Sequence, residues 1–104
     1  MTETEIENVV QSSRRVRGET TEGARAIAKK RGHSLSGGYI SAFEGIFATQ
    51  QNAEVLIQNI LTNPHRKFIG DKVIDIYNAL GQGVRFEKNT YKFITFLEES
   101  LASQ

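Results

Sequence analysis

Asn63-Pro64-His65-Arg66-Lys67-Phe68-Ile69-Gly70-Asp71-Lys72-Val73-Ile74-Asp75-Ile76-Tyr77, then Gly81-Gln82-Gly83-Val84-Arg85-Phe86-Glu87-Lys88, then Thr90-Tyr91-Lys92-Phe93-Ile94-Thr95-Phe96-Leu97 is the stretch whose reading decides the fold. Short runs of β-branched and aromatic residues alternate there with turn chemistry. The spacing predicts strands at Lys67–Ile69, Lys72–Tyr77, Gly83–Glu87 and Tyr91–Leu97. Gly70-Asp71, Asn78 to Gln82 and Lys88-Asn89-Thr90 supply the turns between them. Connections this short join antiparallel neighbours, so the sheet is a meander.

Alternation along each strand makes the choice of a core face decisive. If Ile74 and Ile76 face the core, Val84 and Phe86 follow on the next strand, and Ile94 and Phe96 on the last. Asp75, Tyr77, Arg85, Phe93 and Thr95 then share the opposite face. The alternative register of the last strand buries Phe93 and Leu97 and exposes Lys92. A wet face carrying Thr, Tyr and Arg is also ordinary for an antiparallel sheet, and Asp75 with Arg85 reads equally as a cross-strand ion pair.

Upstream the period changes to that of helices. Ile6, Val9, Val10 and Val16 mark a first helix, about Glu3 to Val16, with acidic residues in its first turn and Arg14-Arg15 near its end. Thr20-Thr21-Glu22-Gly23 offers N-cap chemistry for a second helix that leads to Lys29-Lys30-Arg31 and stops at Gly32. Tyr39, Ile40, Phe43, Ile46 and Phe47 fall at helical spacings and predict a third, about Ser36 to Ala48. Val55, Leu56, Ile60 and Leu61 predict a fourth, about Asn52 to Leu61, ended by Asn63-Pro64. The expectation is one α+β domain over 1–104. Its helical part, about 1–62, packs on one face of a four-stranded antiparallel meander at about 63–99.

A chain of 104 residues builds one core. Its 38% hydrophobic and 24% charged content suits a folded domain rather than a disordered one. No run is apolar enough to span a membrane, and the acidic start does not read as a signal peptide. With no cysteine and two histidines the chain holds no disulfide and no usual zinc site, so no metal cofactor is expected. The net charge of +1 conceals a basic stretch: Arg14, Arg15, Arg17, Arg25, Lys29, Lys30 and Arg31 stand against Glu19 and Glu22. Such a stretch is either a solvated helix face or a contact for phosphate or an acidic protein.

The order of Asn63-Pro64, Val73-Ile74-Asp75-Ile76-Tyr77-Asn78, Gly81-Gln82-Gly83-Val84-Arg85-Phe86 and Phe93-Ile94-Thr95-Phe96-Leu97 resembles the C-terminal toxin domains of bacterial polymorphic toxins, including those of contact-dependent inhibition. Within these it is similar to the nuclease set that groups barnase, EndoU, colicin-type tRNases and RelE, over roughly residues 24 to 99. The resemblance implies metal-free RNA cleavage, in which the ribose 2′-OH attacks the adjacent phosphorus and leaves a 2′,3′-cyclic phosphate. His33 corresponds to the helix-side catalytic histidine of the set, and His65 is the candidate second acid or base. Arg85 and Thr95 correspond to the strand residues that hold the phosphate, with Tyr91 and Lys92 as further candidates. Lys30, Arg31, Arg66 and Tyr77 are the candidate RNA contacts. The close histidine pair of EndoU proteins and the Glu-with-late-His pattern of barnase are absent.

The implied partners are RNA, tRNA first, and a cognate immunity protein. A host activator such as elongation factor Tu is a further candidate, and the toxin would be delivered into the target-cell cytoplasm. Two other functions fit the residues. One is a non-enzymatic α+β binding module, either an immunity protein or an adaptor. A pI of about 8.1 counts against an immunity protein of a nuclease, which tends to be acidic. The other is nucleic-acid binding without chemistry, with Phe93 and Tyr77 as stacking platforms.

Overall fold

The structure is a computed structural model that describes residues 1–31 and 41–99, Arg31 by its backbone alone. Helix α1 spans Glu3–Ser13. Its start is a capping box: Thr2 Oγ1 accepts from the Glu5 N–H at 3.1 Å, and Glu5 Oε1 accepts from the Thr2 N–H at 2.8 Å. It stops three residues short of the predicted Val16. Val16–Arg17 (β1) and Thr20–Thr21 (β2) instead form a small antiparallel hairpin around Gly18-Glu19. Gly18, at φ +65°, takes the left-handed conformation that a two-residue hairpin turn requires.

Helix α2 spans Glu22–Arg31 as expected, with Thr21 Oγ1 accepting the Ala24 N–H. At Gly23 it comes so close to the next helix that an added Cβ would lie 2.7 Å from Ala53 Cβ. Helix α3 spans Gln50–Thr62, capped by Thr49 and ended by Asn63, whose amide donates to Asn59 O.

The helix predicted over Ser36–Ala48 is not found in its described part, 41–48, which runs as turns and irregular chain. A helix would set Phe43 and Phe47 on one face. Here Phe43 is fully buried and Phe47 is 70% exposed. Backbone and side chains of the sheet's far end hold this segment in its loop. Gln82 Nε2 donates to Ala42 O at 2.9 Å, and the Ala42 N–H donates to the Glu98 carboxylate.

Strands β3 (Arg66–Ile69), β4 (Val73–Tyr77), β5 (Gln82–Glu87) and β6 (Phe93–Glu98) follow one another in the sheet, all antiparallel. The fold is therefore α+β, with the helices packed on one face of a four-stranded meander. Ile76, Val84, Phe86, Phe93 and Phe96 meet Val9, Val10, Ile27, Phe43, Ile57 and Ile60 in the core. Three phenylalanines anchor it: Phe96 lies 5.6 Å from Phe43 and 5.1 Å from Phe93, centroid to centroid.

One register detail departs from simple alternation. Val84 pairs Phe96 and Arg85 pairs Thr95, but Phe86 pairs Phe93, so a β-bulge takes up Ile94. Phe93 thereby turns into the core (3% exposed) and Ile94 turns out (39%). The predicted faces hold for Thr95 and Phe96 and are reversed for Phe93 and Ile94. Phe93 is thus no stacking platform.

Candidate functional site

Cross-strand pairing gives the membership of the face turned away from the helices. Arg66 stands opposite Tyr77 and Phe68 opposite Asp75; Asp75 stands opposite Arg85, and Arg85 opposite Thr95. Tyr77, Arg85 and Thr95 thus share one face, as the alternation predicts, and Arg66 joins them from the edge strand. Phe68, half exposed, is the aromatic member that alternation on the inner strands does not reveal.

The face is ordered by pairwise contacts rather than by depth. The Phe68 and Tyr77 rings meet edge to face at 6.0 Å, and the Arg66 guanidinium lies 5.6 Å from the Phe68 ring. Arg66 also pairs with Glu99, beyond the end of β6. Tyr77 lies flat across the next strand because its neighbour there is Gly83: a Cβ on Gly83 would sit 2.6 Å from the Tyr77 ring.

Arg85 is held by a bidentate fork, its Nε 2.8 Å from Asp75 Oδ1 and its Nη2 2.9 Å from Asp75 Oδ2. That contact raises the Arg85 pKa further, keeping it a fixed cation. Its Nη1 makes no hydrogen bond among the described residues, so both Nη1 N–H groups and the second Nη2 N–H can point at an anion. Burial, with the Asp75 carboxylate adding to it, pushes the Tyr77 phenol up, against the opposing pull of Arg85 and Arg66. The phenol therefore stays protonated at neutral pH, a hydrogen-bond donor and not a base.

The remaining sequence candidates lie elsewhere. His65 is exposed just before β3, and its N–H donates to Tyr77 O at 2.7 Å, so it flanks the end of the face where Arg66 and Tyr77 stand. Tyr91 belongs to the core side: its ring stacks on Phe86, and its hydroxyl donates to Glu5 of α1. That hydrogen bond raises the Tyr91 pKa and lowers that of Glu5. Lys92 is exposed and lines a cleft with Arg15 and Arg17, separate from the Arg85–Asp75 pair. Lys30 is partly buried at the end of α2, where its carbonyl accepts from Ser41. His33 and the Arg31 side chain lie outside the described residues. Among the described residues no group of His, Asp and Glu could hold a metal ion, and no helix is long and apolar enough to cross a membrane.

Sequence reasoning misses the polar network that shapes the far end of the site. Asn78 and Gln82 are both buried; Asn78 Nδ2 donates to Gln82 Oε1 and to Asn59 Oδ1, and its Oδ1 accepts from the Leu80 and Gln82 N–H groups. An Asn four residues before a Gln, around a glycine turn, is its only sequence signal. A groove of about 870 Å³ runs between α1 and α3 on the helix side. It is lined by Glu3 and Glu7 with no cation, which makes it a poor bed for phosphate.

No protein-family model, no curated protein and no solved structure matches this chain.

Proposed function

We propose that the chain is a metal-independent endoribonuclease that lays an unpaired stretch of RNA across the open face of its sheet. The observation that carries the reading is the grouping of Arg66, Phe68, Tyr77, Arg85 and Thr95 on that face. Rings that accept bases stand beside guanidinium groups that accept phosphate, the combination single-stranded nucleic acid selects.

In the reaction, the 2′-OH is the nucleophile and Arg85 Nη1 offsets charge on the phosphorane, with the Thr95 hydroxyl beside it. Tyr77, held protonated, donates a hydrogen bond. The base and acid are assigned to His33 and His65 on the resemblance to the toxin nucleases. That resemblance also supports tRNA as the substrate, delivery into a competitor cell, an immunity protein as inhibitor and elongation factor Tu as a candidate activator.

The test is incubation of total tRNA with the protein in EDTA, with and without cell extract, followed by mapping of the RNA ends. The expected result is new 2′,3′-cyclic phosphate ends, lost in His33→Ala and Arg85→Ala. Intact tRNA in every arm, together with equal growth of cells expressing wild type and His33→Ala, overturns the reading.

A second reading has its own observation. Asp75 occupies the fork of Arg85 that would otherwise grip a phosphate, which favours a binding module without chemistry. That module predicts salt-sensitive RNA binding with no cleaved ends, and expression that cells tolerate.

A further inference from the structure

Where α1 ends, the small hairpin and the β5–β6 turn enclose a cleft of about 400 Å³ against the edge of the sheet. Arg15, Arg17 and Lys92 line it, brought together from the end of α1, from β1 and from the residue before β6. Two carboxylates line it as well, and both are engaged. Glu22 lies 3.6 Å from Arg17, and Glu87 accepts the Thr90 hydroxyl at 2.9 Å. Arg15 and Lys92 have no ion-pair partner among the described residues. Two uncommitted cations of different type thus face one concave space.

The position of the cleft gives it a ligand. Ile94, the residue turned outward by the β-bulge, lines this cleft and also a second one with Lys72, Val73 and Glu87. Val73 and Glu87 belong to the open face through their pairing on β4 and β5. Ile94 is followed at once by Thr95, the cross-strand partner of Arg85. A strand leaving Arg85 and Thr95 therefore passes over Ile94 and reaches Arg15 and Lys92 without crossing the helix layer.

We propose that the Arg15–Arg17–Lys92 cleft is a second phosphate site, which takes the backbone of the same single-stranded RNA as it leaves the open face. The inference rests on the reading of that face as an RNA site. The bulge at Ile94 is what joins the two: with Phe93 turned inward, Ile94 and Glu87, whose carboxylate accepts the Thr90 hydroxyl, are the side chains that line both clefts between the two phosphate positions.

The experiment uses a 2′-O-methyl oligonucleotide of about ten nucleotides, which binds but offers no nucleophile, and measures affinity across a salt series. The Arg15→Ala/Lys92→Ala double variant removes two phosphate contacts, so the slope of log K against log salt falls by about 1.4. Thermal unfolding of the double variant checks that both exposed substitutions leave the fold intact. A Tyr77→Ala variant, by contrast, weakens binding and leaves the slope unchanged. In parallel, inorganic phosphate titrated into the labelled protein shifts the Arg15, Arg17 and Lys92 amides. If Tyr77→Ala weakens binding while the double variant leaves affinity and slope unchanged, the second site is overturned and the open-face reading stands. If no oligonucleotide binds but phosphate shifts those amides, the open-face reading fails and the cleft remains an anion site. If neither probe registers there, the proposal is overturned.

Discussion

On strand β5, Val84 and Phe86 point into the helices while Arg85, between them, points out, and the two faces are built on different physics. Inward, order comes from volume. Phe96, Phe93 and Phe43 fill one space, and each ring is fixed because no other space is open to it. Outward, order comes from pairs: Asp75 with Arg85, Arg66 with Phe68 and Glu99, Tyr77 over Gly83. A face held by pairs can be remodelled at little cost in stability, which is the property a binding surface needs. The contrast is open to test at four sizes of effect.

The largest expected effect is on the inner face. Phe96→Ala destabilises by about 3–5 kcal/mol in urea unfolding, whereas Phe68→Ala costs under about 1 kcal/mol there and, on the function proposed above, about 1–3 kcal/mol in RNA binding. Equal losses of stability at the two phenylalanines would end the distinction between the faces. Next is Gly83→Ala, which pushes its new Cβ into the Tyr77 ring and costs about 1–3 kcal/mol. Much of that cost is recovered in a Tyr77→Ala background, as a double-mutant cycle would show. If the two costs simply add, the ring does not depend on the missing side chain.

Smaller again is the Asp75–Arg85 pair, part-exposed at the arginine and worth about 0.5–1 kcal/mol of coupling. The smallest concerns Glu5 and Tyr91, read as melting temperature against pH. The folded state lowers the Glu5 pKa, so its contribution is present above its ordinary value of 4.5 and is lost as pH falls through the depressed folded value. The folded state raises the Tyr91 pKa, so its contribution is complete below 10.0 and is lost as pH rises through the folded value. Glu5→Gln removes the acid limb; a wild-type and variant gap that stays constant down to pH 2 would count against the pairing.

The four strands of the meander were legible because glycine, asparagine and proline punctuate them, and three of the helices because caps and terminators agree with their periodicity. The β1–β2 hairpin, at residues assigned to the end of the first helix and the cap of the second, was not. Two further stretches defeated that logic. Phe93 and Ile94 are both apolar and adjacent, so hydropathy cannot say which one enters the core; the bulge that decides it is a property of pairing with β5. Tyr39 to Phe47 has helical spacing, yet Phe43 reaches the core from a loop held by Gln82 and Glu98, residues about forty and more positions away. The site was legible in part for the same reason. Tyr77, Arg85 and Thr95 share a face by alternation alone, whereas Phe68 and Glu99 enter it only through the edge strand and the residue that follows β6. Tyr91 reads as a strand residue, but its ring and hydroxyl serve the docking of α1.

Lys67 carries one more implication. It pairs with Ile76, so its side chain leaves the sheet on the helix side, although at the outer strand it remains exposed. At the opposite edge the Phe93 N–H is taken by Ser12 Oγ at 2.7 Å. The β3 edge has no such cover from a described element, and there a neighbouring chain that tried to extend the sheet would have to bury the Lys67 ammonium beneath it. Lys67 thus sets a charge beside two exposed apolar neighbours, Phe68 and Ile69, on the strand where edge-to-edge pairing would otherwise be favoured.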